Sequence, residues 1–182
     1  MNNRKVVLYI SMSLDGFITT NDDDLSWLSL VAQEGEDYGY GLMQKRCDTY
    51  IVGRKTYEVV LSLTGGEFPQ AEMYKCFVIT RQERANEKGI QFYNGSIKNL
   101  ISDLKGKEGK DIYCDGGGQI VQLLMDENLI DEYIISVIPT ILGDGKRLFN
   151  GGVKAIDIDL KSSQQYESGL VQLLYTKKQI NP

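Results

Sequence analysis

Three short segments carry the residue types from which a phosphate socket could be built. The first is Gly53-Arg54-Lys55-Thr56 in DTYIVGRKTYEVV, directly behind the apolar run Tyr50-Ile51-Val52. A glycine at the end of a buried strand, followed by a helix start, leaves backbone N–H groups unpaired at the mouth of a sheet, where α/β proteins bind ligands. Arg54 offers a planar fork of donors and Thr56 a hydroxyl, a pairing suited to phosphate. Solvated flanks with an N-cap at Thr56 account for the same residues equally well. The second segment is Gly116-Gly117-Gly118 in DIYCDGGGQIVQLLMDENLIDEY, where Gln119 and Ile120 open a helix marked by Val121, Leu123 and Leu124. Three glycines let a backbone press against a pyrophosphate whose charge the helix N-terminus favours. The segment matches neither the GxGxxG nor the Walker pattern, and a tight turn capped by Asp115 is the plain alternative. The third is Val78-Ile79-Thr80-Arg81. Beside the first, it would make Arg54, Thr80 and Arg81 a cationic corner of the kind that distinguishes NADPH from NADH; alone, it is an exposed strand end.

The acidic residues divide similarly. Asp15-Gly16 in SMSLDGFITT reads as a hairpin turn or as a loop over a site. Asn21-Asp22-Asp23-Asp24 reads as a helix N-terminus with dipole-matched acids, and it fails as a calcium loop because the required glycine and glutamate positions hold Trp27 and Gln33. Asp37 is the acid within a segment expected to be helical, and Gly143-Asp144-Gly145 is expected to turn the chain after Ile134 to Ile141.

The elements that must position these residues alternate. Strands are expected at Lys5 to Met12, Thr49 to Gly53, Cys76 to Thr80, Ile90 to Tyr93, Asp111 to Cys114 and Glu132 to Ile138. Helices are expected over most of Leu25 to Arg46, then at Thr56 to Leu63, Ile97 to Leu104 and Gln119 to Glu127. Strands alternating with helices imply parallel pairing, hence the α/β class. From Ala155 onward IDIDL and LVQLLYTKK flank a turn, which predicts an antiparallel C-terminal hairpin on a mixed, mostly parallel sheet. No linker or repeat divides the 182 residues, so residues 1–182 are expected to form one domain.

Composition narrows the chemistry. A formal net charge of −5 argues against a non-specific nucleic-acid or membrane-surface partner. No stretch approaches the roughly 18 apolar residues of a membrane span, and the basic start MNNRKVVLYI is too briefly apolar for a signal peptide. Cys47, Cys76 and Cys114 show no CxxC spacing, so a cytoplasmic protein with reduced thiols is expected. There is no histidine, which removes Ser-His-Asp and Cys-His nucleophile activation and His-ligated zinc, and no metal site is expected. Chemistry must rest on carboxylates, Tyr, Lys, Arg or a borrowed cofactor.

Taken in register, SMSLDGFI, YIVGRKTYE, FVITR, IYCDGGGQIVQLL and LIDEYIISVIPTILGDGKRLF resemble the dihydrofolate reductase-like family. They are most similar to its branch typified by the reductase domain of bacterial riboflavin-biosynthesis deaminase-reductases. The resemblance runs from Lys5 to the final hairpin. It implies a three-layer fold with helices on both faces of a mixed sheet, a bound NADPH, a small-molecule substrate and a homodimer. It also implies that Gly53, Arg54 and Thr56 touch the cofactor phosphates, Thr80 and Arg81 the adenosine end, and Gly116, Gly117, Gly118, Gln119 and Ile120 the pyrophosphate. Asp15 is placed in the loop where nicotinamide and substrate meet, and Asp37 at the spacing of the acid that dihydrofolate reductases keep in the first helix. Both are candidates for proton delivery, with Trp27 and Tyr113 lining the substrate. The zinc deaminase domain of the riboflavin enzymes carries an H-x-E motif that these 182 residues lack, so a stand-alone reductase-like domain is expected. The activity implied is that of 5-amino-6-(5-phosphoribosylamino)uracil reductase or a related hydride transfer to C=N or C=O. A non-catalytic nucleotide-binding or sensor module on the same fold is the competing class.

Overall fold

The computed structural model describes residues 4–152 and 155–178. The apolar triplets Val6-Val7-Leu8, Tyr50-Ile51-Val52 and Ile112-Tyr113-Cys114 are all buried. Strands apolar on both faces need cover on both sides, and the chain supplies it with helices between parallel strands. In order, it forms β1 (Val6–Ser13), β2 (Phe17–Thr19), a 3-10 helix (Ser26–Val31), α1 (Tyr40–Arg46), β3 (Cys47–Gly53), α2 (Arg54–Leu63) and α3 (Gln70–Met73). There follow β4 (Lys75–Ile79), β5 (Ile90–Tyr93), α4 (Ile97–Lys105), β6 (Asp111–Gly116), α5 (Gly118–Asp126) and β7 (Glu132–Ile138). The short β8 (Lys146–Arg147) precedes a hairpin of β9 (Ile158–Gln165) and β10 (Val171–Lys177).

Eight strands make one sheet in the order β5-β4-β3-β6-β1-β7-β10-β9. All neighbours are parallel from β5 through β7, and β10 is antiparallel to both β7 and β9. One face carries Val6, Leu8, Ile51, Ile112 and Cys114 against Leu100, Ile101 and Leu104 of α4 and Ile120, Val121 and Leu124 of α5. The other carries Val7, Tyr50, Val52 and Tyr113 against Met43 of α1 and Tyr57 of α2. Each fully buried apolar side chain here is worth about 1.5–3 kcal/mol, so the register of β3 and β6 is set by two cores at once. Mixed pairing, flanking helices and the terminal hairpin agree with expectation.

The N-terminal edge of the sheet is fastened by charge. Arg4 is buried and donates to the Lys110 and Leu104 carbonyls, to Asp48 and to the Thr49 hydroxyl. Arg46 bridges Asp111 and Glu132, and Lys5 also pairs with Glu132. The opposite edge is left for chemistry.

Leu25 to Arg46 departs from the helix expected. Only Ser26–Val31 (3-10) and Tyr40–Arg46 are helical, because Gly35, Tyr38 and Gly39 take positive φ and interrupt the run. Asp15-Gly16 does turn the chain, but β1 and β2 do not pair; β2 pairs instead with β8, beyond the Gly143-Asp144-Gly145 turn.

Candidate cofactor and substrate site

β3 and β6 are adjacent, so their two strand-glycine-helix junctions lie side by side at the C-terminal edge of the sheet. The Gly117 N–H donates to the Thr56 hydroxyl at 3.0 Å, joining the first turn of α2 to the residue before α5. Two helix N-termini therefore face the same space, each with first-turn N–H groups that lack intrahelical partners and a positive dipole end. The glycines differ in role. A Cβ on Gly53 would come within 2.9 Å of Ile120 Cγ1, and one on Gly118 within 2.7 Å of the Arg147 carbonyl, so both are small because of internal packing. Gly116 has φ +99°, a conformation glycine alone takes cheaply. Gln119 is exposed at the mouth, while Ile120 is buried beneath Gly53.

β4 pairs directly with β3, setting Gly53 opposite Ile79 and bringing Thr80 and Arg81 to the same rim as Arg54. The Thr80 hydroxyl accepts from the Gln82 N–H at 3.2 Å. Arg54 is committed to Glu58 at 2.6 Å, whereas Arg81 is exposed. Of the corner's two guanidinium groups, Arg81 is the one without a carboxylate to give up.

The two expected proton donors are held as anions. The Asp15 carboxylate accepts from the Ser13 hydroxyl at 2.6 Å and from the Leu142 and Gly143 N–H groups. These bonds, the Ser13 hydroxyl foremost, lower its pKa, and they spend the side chain on fastening the loop after β7. Asp37 lies outside any helix and accepts from the Gly39 and Gly41 N–H groups at 2.8 and 3.0 Å, which also lowers its pKa. It acts as an anchor for the start of α1.

The acid at the site's centre is Asp115. The plain-turn alternative made it a cap for α5, but it makes no such cap bond. One of its oxygens accepts from Tyr113 at 2.7 Å and the other from a short bond with Tyr50. Burial raises its pKa, only partly opposed by the two hydroxyls. The tyrosines form a connected group. Tyr50 stacks on Tyr74 at 5.7 Å and meets Tyr113 edge-on at 5.1 Å, and Tyr113 meets Tyr9 edge-on at 6.0 Å. Tyr40 of α1 closes on Tyr9 at 6.3 Å. The period-two spacing of Tyr113 and Asp115 on β6 was the available signal, because it puts both on the face occupied by Tyr50. Trp27 lies elsewhere, buried with Val31, Ile138 and Leu170, and its indole N–H has no partner.

Over the junction folds the β2–β8 ribbon. Arg147 lies 4.5 Å over the Phe17 ring and donates to the Asp15 carbonyl, and Ile18 reaches within 4 Å of the Cβ positions of Gly117 and Gly118. Among the described residues no cluster of metal-ligating side chains occurs, and no helix is long and apolar enough to cross a membrane.

Residues 4–172 match the family model described as the RibD C-terminal domain. The chain is 38% identical over 175 residues to the uncharacterized protein YwjB of Bacillus subtilis (strain 168), covering 96% of this chain and 98% of that one. A crystal structure of a Shewanella sp. PV-4 protein attributed to riboflavin biosynthesis superposes with a TM-score of 0.87 at 28% identity, covering 96% of this chain and 99% of that chain. A Thermotoga maritima diaminohydroxyphosphoribosylaminopyrimidine deaminase/5-amino-6-(5-phosphoribosylamino)uracil reductase gives 0.73 at 16% identity, with this chain covering 57% of it, and so shares the fold. The joined glycine junctions, the dihydrofolate reductase-like sheet and the match across nearly its whole length together place the chain in the RibD C-terminal domain family.

Proposed function

We propose that the chain is an NADPH-dependent reductase that transfers hydride to a C=N or C=O bond of a small polar substrate. The observation that carries this reading is the Thr56 to Gly117 bond, which fixes two helix N-termini beside one another, with the half-buried carboxylate of Asp115 two residues before Gly117. The residues fit a dinucleotide. The paired helix ends suit a pyrophosphate, and the backbone at Gly117 is free of a side chain on the same rim. Arg81 suits the phosphate that separates NADPH from NADH.

Bound NADPH supplies the hydride. The protein's own contribution is alignment and exclusion of water. The β2–β8 ribbon covers the junction, and the tyrosine group walls the sheet edge beside Asp115. Asp115 can hold a proton that Asp15 and Asp37 release, because burial favours its neutral form, whereas the Ser13 hydroxyl and backbone N–H groups stabilise the Asp15 anion and backbone N–H groups the Asp37 anion. Asp115 is therefore the group assigned to the polar edge of the substrate, with Tyr50 and Tyr113 as positioning residues. Pterin-, pyrimidine- and sugar-like compounds are the substrate classes to test. The first is 5-amino-6-(5-phosphoribosylamino)uracil, reduced by the protein of that name.

We also infer a homodimer. Met125, Ile135, Phe149, Ile158 and Leu173 help line an apolar groove of about 360 Å³ that contains no charged residue. Two copies of net charge −5 can meet there without opposing like charges. Three buried free thiols fit a reducing, cytoplasmic setting.

The test is NADPH consumption, followed by absorbance, with the substrate panel above, in wild type and Asp115→Asn. Turnover in wild type that falls at least about 100-fold in the variant supports the reading, since acid-base groups contribute about that much or more. NADPH binding without turnover of any substrate would favour the non-catalytic module.

A further inference from the structure

In a chain of net charge −5, most guanidinium groups are already paired. Arg4, Arg46, Arg54 and Arg84 each face a carboxylate at 2.5–2.7 Å. Among the described residues Arg81 and Arg147 form no ion pair, and they stand on opposite sides of the glycine junctions. Arg81 follows β4, whereas Arg147 lies on β8, which pairs with β2 directly beyond β1. In the order β4-β3-β6-β1 that is three strand spacings, about 14 Å. Arg147 is held in place. Its guanidinium lies 4.5 Å over the Phe17 ring, which is 5% exposed, and its Nη1 donates to the Asp15 carbonyl at 3.2 Å. Its own carbonyl lies 2.7 Å from the position of a Cβ on Gly118, so its main chain touches the first residue of α5. The acids of the surrounding loops are committed elsewhere. Asp15 accepts from Ser13, Leu142 and Gly143, Asp23 pairs with Lys146, and Asp144 accepts from Asn21. An exposed cation fixed by a ring and a carbonyl, with further N–H groups unspent and no carboxylate to displace, is arranged for a bidentate grip on an oxyanion.

We propose that Arg147 is a second anion anchor of the site and takes a phosphate oxyanion of the bound ligand, on the side away from Arg81. Its contact with the start of α5 makes the cofactor pyrophosphate one source of that group. A phosphate ester on the substrate, entering beside the Asp15 loop, is the other. The cofactor source rests on the reductase reading, and the anchor itself does not. With Arg81 at one side and Arg147 at the other, a ligand is read by the separation of its anionic groups as well as by their number. A ligand charged at the Arg81 side alone gains nothing from Arg147. The stack on Phe17 and the bond to Asp15 fix the guanidinium before any ligand arrives, so less side-chain freedom is lost when the anion binds.

The probes are NADPH, adenosine 2′,5′-bisphosphate, which lacks the pyrophosphate link and the nicotinamide half, and ribose 5-phosphate with and without NADPH. Each is titrated by calorimetry into wild type, Arg147→Gln and Arg147→Lys. If the pyrophosphate is the partner, Arg147→Gln should bind NADPH about tenfold or more weakly in dilute salt and adenosine 2′,5′-bisphosphate within about twofold of wild type. The NADPH difference should shrink as salt is raised. If a substrate phosphate is the partner, NADPH should be unaffected and ribose 5-phosphate should weaken by about tenfold or more. In both cases Arg147→Lys, which keeps the charge, should recover most of the affinity. A role confined to fastening the Asp15 loop predicts equal, salt-independent losses in the two variants, and that result would overturn the proposal. So would unchanged affinity for every probe in Arg147→Gln. Should Arg147→Gln fail to fold, the ¹⁵Nε resonance of Arg147 in wild type decides. It should shift on adding NADPH or ribose 5-phosphate and stay fixed with adenosine 2′,5′-bisphosphate; a resonance unmoved by every probe overturns the anchor. Ribose 5-phosphate binding that depends on Arg147, without any NADPH binding, would leave the anchor standing and remove the reductase reading.

Discussion

Gly53→Ala tests the packing that holds the two junctions together. The backbone at Gly53 has φ −77° and ψ 149°, which alanine adopts without strain. On backbone grounds alone the substitution would stabilise by about 0.4–1 kcal/mol, by reducing the freedom of the unfolded chain. The new Cβ, however, would sit 2.9 Å from Ile120 Cγ1 and 3.5 Å from its Cδ1. Carbon atoms rest at about 3.5–4.0 Å, so the first contact is short by about 0.6 Å or more. Ile120 is 5% exposed and has no solvent to swing into. Overpacking of this kind costs about 1–3 kcal/mol, which at least cancels the backbone gain and leaves a net loss of up to about 2.6 kcal/mol. For a chain of this size that is a fall in Tm of up to about 10 °C, measurable by calorimetry. NADPH affinity should fall with it, because relief requires α5 to move away from α2. Ile120→Ala alone should cost about 2–5 kcal/mol, but the double variant should cost less than the sum, with a coupling of about 1–2 kcal/mol. Additivity within about 0.5 kcal/mol, or a stabilising Gly53→Ala, would refute the close approach of β3 and α5.

Other expectations follow from single contacts. Thr56→Val keeps the shape but strands the Gly117 N–H, and should cost about 1–3 kcal/mol in denaturant unfolding while weakening NADPH binding measured by calorimetry. Asp115 has a folded-state pKa above its unfolded value, so the folded protein binds the extra proton, and wild-type stability should fall as pH rises from the ordinary carboxylate range through the raised value. Asp115→Asn should remove that slope, and a pH series of urea midpoints would contradict the assignment if the slopes coincide. At Glu132, burial is outweighed by Lys5 and Arg46, which lower its pKa, so its contribution is present near neutrality and lost as pH falls through the depressed value. Arg4→Met leaves the Lys110 and Leu104 carbonyls and the Thr49 hydroxyl without their buried donor, and should lower stability by about 3 kcal/mol.

The main sheet was legible because its strands are apolar on both faces, and glycine marked where β3 and β6 give way to helices. Glu132 to Ile138 could be read to the residue, since Asn128 to Asp131 and Pro139 bound it. The ribbon of β2 and β8 left no such trace, because runs of three and two residues are too short to show a period. The irregular stretch before α1 was hidden by apolar residues at helical spacing, although Gly35 and Gly39 take the positive φ that breaks the helix. At the site, adjacency of GRKT, TR and GGG depended on strand order, which parallel pairing alone left open and the β4-β3-β6 order supplies. Asp115 was obscured by its position just before a glycine run, where a cap is the common role. Its true surroundings come from Tyr50, more than sixty residues away on the neighbouring strand. Asp15 and Asp37 drew attention through residue type, and their amide partners became visible only with the loops in place.

The central claim, that the joined glycine junctions hold NADPH, is tested most directly by calorimetric titration of NADPH and NADH into wild type, Thr56→Val and Arg81→Ala. The account predicts tight binding of NADPH by wild type, a general loss in Thr56→Val, and in Arg81→Ala a loss confined to NADPH that brings the two cofactors level. Absence of binding by either dinucleotide, or equal binding that none of the substitutions alters, would contradict it.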